Sequence, residues 1–475
     1  MNNGLVYVDL DDESHSKLRI NDEQKVHIVK YAKKWFNLKN DKFILCGVNC
    51  YPTWDDEISV DTPIKFLHFF EEHKNLLDLV ENHGYKIIVT SNTEPNSLWS
   101  LWLESERILE DINKDTTILE KYKDIVVWIE PYFTNKVYEY VNKHNYNVIA
   151  MNTCIFDGDF NTSFLEKNVM LNEMGFHNEI HNLTKSWKRR YKVSCISSQI
   201  REFRSILLLE CFRKGIINND NYFLFNPNSF IHLKKCMNYL KDNNKKFNFE
   251  NLQNVKLEVD DDVNEHGEVK TFYECMVNDL QGQQKNNIYD YLNENSIDEI
   301  LELLHINSDL PVTDGEEFST KGHHSSSARS HDINMMVYKN SYVNVCFEVE
   351  SRLDDNRRRR LVVPYTTEKV FKSIITRTPF FLFSEDSSHM LTWLRDNGFK
   401  TFNKVGIDEN YDTIGNNRQR VVEMSKSLQT FNEKSRQELH EWYWSDDVQD
   451  ILNHNYNRYF DFAKEEIKKV VEIML

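Results

Sequence analysis

The chain has 475 residues, and 75 acidic against 58 basic side chains give a formal net charge of −17. Hydrophobic residues make up 40% and aromatic residues 13%, which excludes a disordered chain. With roughly 100–200 residues per domain, this length predicts two large domains. The acidic balance argues against a general polyanion-binding protein, because the protein's own field opposes phosphates at long range.

The N-terminal sequence and the cysteines predict a soluble protein in a reducing compartment. The opening stretch MNNGLVYVDLDDESHSK lacks the basic and apolar regions of a signal peptide, and no run approaches the roughly 18 apolar residues of a membrane span. The eight cysteines are scattered, mostly in apolar runs, without paired spacing, as expected for buried thiols. We therefore expect a cytoplasmic protein, in the host cytoplasm if it is viral.

Glycine spacing excludes several nucleotide-binding and hydrolase motifs. The chain has 13 glycines, and the nearest two are Gly315 and Gly322. GxGxxG, the P-loop and GxSxG all need closer glycines, which argues against a classical Rossmann dehydrogenase, a P-loop NTPase and an α/β-hydrolase. If a nucleotide binds, side chains must hold its phosphates.

The first part of the chain alternates apolar runs with amphipathic stretches. Strands are predicted at DKFILCGVN, YKIIVTSN, KDIVVWIEP and YNVIAMNTCIF. Helices are predicted between them at TPIKFLHFFEEHKNLLDLVENHG, which Gly84 would end, SLWSLWLESERILEDINK and TNKVYEYVNKH. Apolar strands separated by helices indicate a doubly wound parallel sheet covered on both faces, over about residues 40–175.

A second α/β unit begins with the predicted strand YKVSCIS, the helix REFRSILLLECFRK and the strand NYFLFNP. After a polar insertion at about 240–333, SYVNVCFEVES and TPFFLFS are predicted strands, TEKVFKSIIT and SHMLTWLRDNG are predicted helices, and the remainder is helical in pattern. The predicted organisation is an α/β domain at 1–185, a second α/β domain at 186–430 that contains the insertion, and C-terminal helices at 431–475.

Two charged clusters follow predicted strands of the second unit, and ligands of parallel sheets bind where strands end. Arg201 and Arg204 begin the helix after YKVSCIS, where guanidinium groups would add to the helix dipole in binding an anion. A solvated helix face is the alternative interpretation of these two arginines.

The second cluster, YTTEK, begins a helix that a threonine would cap, with Glu368 in its first turn. A cap alone does not account for Lys369, because cations are unfavourable at a helix N-terminus. A bound diphosphate would account for it, and Glu368 would then accept hydrogen bonds from ribose hydroxyls.

FEVES, a loop and PYTTEKVFKSIITRTPFFLF together resemble the donor-binding motif of the alpha-1,3-fucosyltransferases and related viral or bacterial glycosyltransferases. LRDNGFKTFNKVGIDENYDTIGNNRQR is similar to an extension in phage-type members, and SCISSQIREFR to their serine-then-arginine stretch. The resemblance covers about residues 190–425, apart from the insertion. It implies a GT-B-like fold, with two Rossmann-like domains facing a cleft, the first binding the acceptor and the second the nucleotide sugar.

The resemblance also implies a donor site formed by Arg201, Arg204, Glu348, Tyr365, Glu368 and Lys369. Glu368 would bind ribose, Lys369 and Arg204 the diphosphate, and Tyr365 would line the nucleotide pocket. Because these cations neutralise the leaving diphosphate, neither a metal nor another cofactor is expected.

An acidic residue of the first domain would deprotonate the acceptor hydroxyl for an inverting attack. Candidates that follow predicted strands are Glu94, Glu130 and Asp55. We choose Glu94, because polar residues follow its strand immediately.

Two patterns suggest a metal site, and each has a simpler interpretation. Asp157 with Asp159, and Asp9 with Asp11, are DxD pairs of the kind that hold a divalent ion in single-domain glycosyltransferases, yet a turn is the simpler interpretation in so acidic a chain. HNEIH at 177–181 lacks a third ligand and is more typical of a helix face.

The predicted activity is transfer of a sugar from a GDP-fucose-like or UDP-sugar donor to a hydroxyl of a glycan. One alternative is a viral DNA glycosyltransferase acting on hydroxymethylated pyrimidines, for which KSWKRRYK and RRRR would supply phosphate contacts. The sequence also leaves open a metal-dependent DxD (GT-A-like) glycosyltransferase and an inactive sugar-binding protein.

Overall fold

The computed structural model describes residues 6–10, 19–20, 27–37, 42–48, 62–91, 98–104, 116–130, 135–150, 181–197, 206–207, 210–211, 214–218, 220–225, 335–348, 366, 368–384 and 389–474. Over these residues the protein is a mixed α/β structure with two sheets of mainly parallel strands and a helical C-terminal stretch. The predicted α/β class is confirmed at this level.

The first sheet has the strand order β2-β1-β3-β4-β5-β6. Its strands are β1 (Val6–Leu10), β2 (Arg19–Ile20), β3 (Phe43–Val48), β4 (Lys86–Ser91), β5 (Val126–Glu130) and β6 (Val148–Ala150). The β1–β2 pair is antiparallel and the other pairs are parallel. The sequence predicted β3 to β6 and missed β1, where Asp9 lies in register with Gly47 of β3 rather than in a turn.

Helices accompany this sheet at α1 (His27–Phe36), α2 (Pro63–Glu72), α3 (Lys74–His83), α4 (Leu98–Glu104), α5 (Thr117–Tyr122) and α6 (Asn135–His144). Successive strand residues point to opposite faces. Ile87, Val89 and Trp128 therefore belong to the core formed with α2 to α6, whereas Ile88 and Val127 belong to a different core.

The predicted single helix over 62–84 is wrong, since it divides at His73. The ring Nδ1 of His73 lies 2.8 Å from the carbonyl oxygen of Phe69. In a continuous helix, that carbonyl would instead accept a hydrogen bond from the backbone N–H of His73. That N–H donates instead to Phe70 at 3.1 Å, and the chain leaves helical geometry. Gly84 ends the second piece in the left-handed conformation, as predicted, with φ 71°.

The second sheet is parallel throughout its described strands, in the order β10-β9-β7-β8. They are β7 (Tyr191–Ser197), β8 (Tyr222–Phe225), β9 (Ser341–Glu348) and β10 (Phe380–Ser384), at the four predicted positions. Every residue of β9 is buried, so both faces of this strand are covered. We call the edge at which these strands end the carboxyl edge, and the opposite one the amino edge.

The helices whose bounds the structure describes in this half are α7 (Met335–Asn340), α8 (Glu368–Ile375), α9 (Met390–Asp396), α10 (Asn417–Glu433), α11 (Arg436–Tyr443) and α12 (Asp446–Met474), with 3-10 turns at Asn403–Val405 and Asn410–Thr413. Local side-chain caps fix the starts of α10 and α11. The Asn416 side chain accepts from the Gln419 N–H, and Ser435 with Glu438 forms a capping box at α11.

Helix α12 joins the two halves of the molecule. Its 29 residues extend about 43 Å at 1.5 Å per residue. It packs against α8 of the second half and against α1 and β5 of the first, and Lys469 donates to the Ala150 carbonyl at 3.4 Å. One apolar core therefore includes the second sheet, α12 and one face of the first sheet.

Two further properties follow from the described parts of the chain. Cys46, Cys195, Cys211 and Cys346 are free and buried, as the sequence predicted for them. Within the same residues, no helix combines the length and the apolar character that crossing a membrane requires.

Candidate functional site

The carboxyl edge of the second sheet is the candidate site. Glu348 ends β9 and Ser384 ends β10, and the two residues are partners in the parallel register. Helices α8 and α9 follow these two strands in the chain, so their N-termini lie toward the same edge. Positive helix ends at strand ends are the usual setting for anionic ligands.

Glu348 holds the N-terminus of α8. Its side chain is 1% exposed, and Oε1 accepts a hydrogen bond from the Val370 backbone N–H at 3.2 Å. Val370 is the third residue of α8, so this carboxylate satisfies a first-turn donor and complements the helix dipole. The structure thereby places Glu348 against the start of the helix that carries Glu368 and Lys369.

A buried polar cluster beneath Glu348 fixes how α8 lies on β9. The Asn344 amide donates to Ser373 Oγ at 3.0 Å and to Cys346 Sγ at 3.3 Å, and Cys346 Sγ lies 3.2 Å from Ser373 Oγ. Ser194 of β7 donates to Asn344 Oδ1 at 3.1 Å. Sequence reasoning missed this cluster, although Asn344 and Ser373 are polar residues inside apolar runs.

Cys346 is a packing residue. Burial raises the pKa of its thiol to about 12, with Glu348 adding to the rise and the Ser373 hydrogen bond opposing it. A thiol with such a pKa stays protonated near neutrality and is a poor nucleophile. Its Sγ donates to the Lys369 carbonyl at 3.7 Å, which adds a further contact between the strand and the start of α8.

The second residue of α8 is Lys369, whose side chain is half-buried. For Glu368 the structure describes the backbone, as the first residue of α8. Thr366, one of the two predicted caps, is fully buried just before the helix.

Arg420 occupies the end of β10, and sequence reasoning missed it. Its guanidinium group is 2% exposed and donates to the carbonyls of Ser384 at 2.7 Å and Ile414 at 3.0 Å. The group also lies 5.2 Å from the centre of the Phe383 ring. The carboxyl end of β10 is therefore covered by a buried cation. That cation belongs to α10, a helix that begins more than thirty residues later in the chain.

Asp412 accepts a hydrogen bond from the first turn of α9, as Glu348 does from the first turn of α8. Its Oδ2 accepts from the Leu391 N–H at 3.1 Å, and its carbonyl accepts from the His389 N–H at 2.7 Å. Burial raises the pKa of this carboxyl group against the effect of those hydrogen bonds and of Arg420. The described helices α8 and α9, which follow β9 and β10, thus each have a buried carboxyl group at the N-terminus.

The other predicted site residues are described in part. Arg201, Arg204, Tyr365, Glu94 and Asp55 lie outside the described residues. Glu130 is the last residue of β5, at the carboxyl edge of the first sheet, and is 1% exposed. Of the three candidate bases, it is the one whose surroundings the structure describes.

Of the residues in the DxD and HNEIH patterns, the structure describes Asp9 and His181. The described parts of the chain contain no group of three histidine, cysteine, aspartate or glutamate side chains that could hold a metal ion. Asp11, Asp157, Asp159, His177 and Glu179 lie outside them. The ring of His181 packs edge-on against Tyr456, 4.3 Å between centres, and burial lowers the pKa of its imidazole.

No family model matches the sequence, and the comparisons with curated proteins and with solved structures also give no match.

Proposed function

We propose that the protein is a glycosyltransferase that binds a nucleotide sugar at the carboxyl edge of the second sheet and transfers the sugar to a hydroxyl acceptor. The observation that carries this proposal is the start of α8, where a buried carboxylate holds the helix and a half-buried lysine occupies its second position. A cation at a helix N-terminus is unfavourable unless negative groups lie close by, and a bound anion would supply such a group beside the Glu348 carboxyl group. The motif resemblance supplies the nature of the anion, a nucleoside diphosphate.

The proposed fold is GT-B-like, with each sheet forming a Rossmann-like domain and the site in a cleft between them. Support comes from two sheets of mainly parallel strands, each with helices, and from the predicted domain ranges 1–185 and 186–430. The helices at 431–475 are the third region, and α12 within them packs on both halves.

In the proposed reaction, charge develops on the diphosphate as the bond to the sugar breaks. Lys369, with Arg204 and Arg201, neutralises that charge, and Glu368 accepts from the ribose while Tyr365 lines the base pocket. Because Glu348 already occupies the Val370 N–H, binding depends more on these cations than on the helix N–H groups. No metal is needed to stabilise the leaving group in this scheme.

The acceptor hydroxyl must lose its proton to a base in the first domain for in-line, inverting attack. A base has to contact that hydroxyl, and a carboxylate that is 1% exposed presents almost no surface to a substrate. Glu130 therefore suits the role poorly. This favours Glu94, which follows β4, while Asp55 is retained as the alternative.

The donor site is tested by Lys369→Ala, measured by calorimetry with GDP and with UDP. Loss of a charged partner of the diphosphate costs about 1.5–3 kcal/mol, so affinity should fall at least about tenfold. Lys372→Ala is the matched control, because it removes the same charge from the last turn of the same helix. Thermal melting verifies that both variants fold, and unchanged affinity in Lys369→Ala would show that the donor site lies elsewhere.

A glycan acceptor is proposed over hydroxymethylated DNA. Of the two basic segments that would contact DNA, the one at 185–192 begins before β7 and so lies at the amino edge, away from the donor site. The other, 357–360, lies outside the described residues. Transfer of labelled sugar to hydroxymethylated duplex DNA but to no glycan, weakening steeply with salt, would favour the DNA enzyme.

A further inference from the structure

A surface loop at the amino edge of the second sheet combines cations with an exposed tryptophan. It contains Lys185, Ser186, Trp187, Lys188, Arg189 and Arg190, and we call it the Trp187 loop. It leads directly into β7. Basic residues are concentrated here although the whole chain carries a formal charge of −17.

Buried contacts hold the loop firmly. Arg189 is 2% exposed and donates to the carbonyls of Tyr338 at 2.7 Å and Ser341 at 2.6 Å, with its guanidinium 4.0 Å from the centre of the Tyr443 ring. At the start of the loop, His440 Nε2 donates to the Lys185 carbonyl at 2.8 Å. Contacts with α7, β9 and α11 therefore fix the backbone from which the other side chains project.

Between these contacts the loop presents charge to solvent. Lys185, Lys188 and Arg190 are exposed, and no carboxylate in the described parts of the chain forms an ion pair with them. Cations presented on a fixed backbone, with no carboxylate pairing them, attract a polyanion at short range even when the overall charge is negative.

Trp187 distinguishes this surface from an ordinary solvated basic face. Its side chain is 36% exposed, and its position is set by a hydrogen bond from Nε1 to the Lys339 carbonyl at 3.2 Å. The Lys339 ammonium lies 4.9 Å from the ring centre. An indole that is held in place beside water and surrounded by cations is the usual platform on which an unpaired base stacks.

We propose that the Trp187 loop is a docking surface for single-stranded nucleic acid, with Trp187 stacking on a base and Lys185, Lys188 and Arg190 contacting phosphates. A duplex keeps its base faces stacked inside, so the exposed ring favours a single strand over a duplex. The eight residues of β9 separate the loop from Glu348 by about 23 Å at 3.3 Å per residue. The docking surface is therefore distinct from the proposed donor site and independent of the proposed function.

The test is fluorescence anisotropy of the full chain with a labelled oligothymidylate of about 15 nucleotides, which matches site sizes of roughly 4–16 nucleotides. Binding should weaken with salt, with a log–log slope of about −2 if three phosphates are neutralised at about 0.7 each. The combined variant Lys185→Gln, Lys188→Gln, Arg190→Gln should abolish most of this slope. The combined Lys74→Gln, Lys143→Gln, Lys468→Gln control changes the net charge equally at distant exposed sites and should bind normally.

Trp187→Leu isolates stacking, because it leaves the charge unchanged. It should bind oligothymidylate on the order of tenfold more weakly, the loss of one stacked base, with an unaltered salt slope. Thermal melting verifies the fold of each variant. Binding that Trp187→Leu leaves intact, equal weakening in the distant control, or tighter binding of a duplex of the same length would each overturn the proposal.

Discussion

Glu348 connects the fold to the proposed chemistry through one hydrogen bond. Its carboxyl group is buried and lies at the start of a helix whose second residue is Lys369. The same side chain therefore positions the helix at which a diphosphate would bind in the proposed function. Its structural role can be tested separately from any activity.

Glu348→Ala removes the acceptor of a buried N–H, so the free energy of unfolding should fall by about 1–3 kcal/mol. Glu348→Gln keeps an oxygen in the same place and should cost less. Urea denaturation of both variants measures the difference. Equal losses would mean that the negative charge, rather than the hydrogen bond, holds the start of α8.

The buried carboxyl group of Glu409 should make the stability of the folded protein depend on pH. Burial raises the pKa of its carboxyl group above 4.5, outweighing the Thr401 and Phe402 hydrogen bonds and the Arg395 guanidinium at 3.2 Å. The folded protein then binds this proton more tightly than the unfolded chain does. The group's stabilising contribution is complete below pH 4.5 and is lost as the pH rises through the raised pKa.

The Glu409→Gln variant lacks this titration. The unfolding free energy of the unaltered protein minus that of the variant should therefore fall as the pH rises above 4.5, as urea denaturation at each pH would measure. Glu441→Gln removes an exposed carboxylate and is the matched control. A difference that grows with pH would contradict the raised pKa.

At the scale of elements, α12 stabilises a sheet that lies far from it in sequence. Lys464 lies 5.8 Å from the centre of the Trp35 ring of α1, and Lys469 reaches the end of β6. Ile467 and Val470, in the same segment, are fully buried. This part of the helix covers the face of the first sheet that α2 to α6 leave open.

Ile467→Ala with Val470→Ala should destabilise the protein by several kcal/mol, since each large-to-small core change costs about 2–5 kcal/mol. Hydrogen exchange should quicken in α1 and β5 as well as in α12. Lys468→Ala, on the exposed side of the helix, should change neither. Faster exchange confined to the second sheet would show that α12 does not support the first.

At the scale of the whole molecule, the proposed reaction uses side-chain cations for the leaving group. Sugar transfer should therefore persist in EDTA, as an assay with radiolabelled GDP-fucose and UDP-glucose would measure. Strict Mn²⁺ or Mg²⁺ dependence, lost again in Asp157→Ala or Asp159→Ala, would instead indicate the DxD class. Donor binding without transfer to any acceptor would indicate a sugar-binding protein.

Much of the architecture was predictable because buried parallel strands carry an unbroken apolar signal, as in FFLF of β10. The division of the helix at His73 was not predictable from the sequence, because it arises where the imidazole and the backbone N–H of His73 compete for the Phe69 carbonyl. At the candidate site, YTTEK marked the helix start. The hydrogen bonds that join Glu348 to Val370 and Arg420 to Ser384 connect residues that are distant in sequence. Local sequence patterns therefore do not predict them.

The position of α12 also determines when the protein can finish folding. The first sheet is synthesised early, yet the face that packs against α12 lacks that part of its cover until Asp446–Met474 has left the ribosome. At about 5–20 residues per second, the 295 residues between the end of β6 at Ala150 and the start of α12 at Asp446 take at least roughly 15 seconds to translate. During that interval the nascent chain exposes Ile88, Val127 and Ile129 to chaperones, and a message truncated before α12 would yield a chain that proteases can recognise.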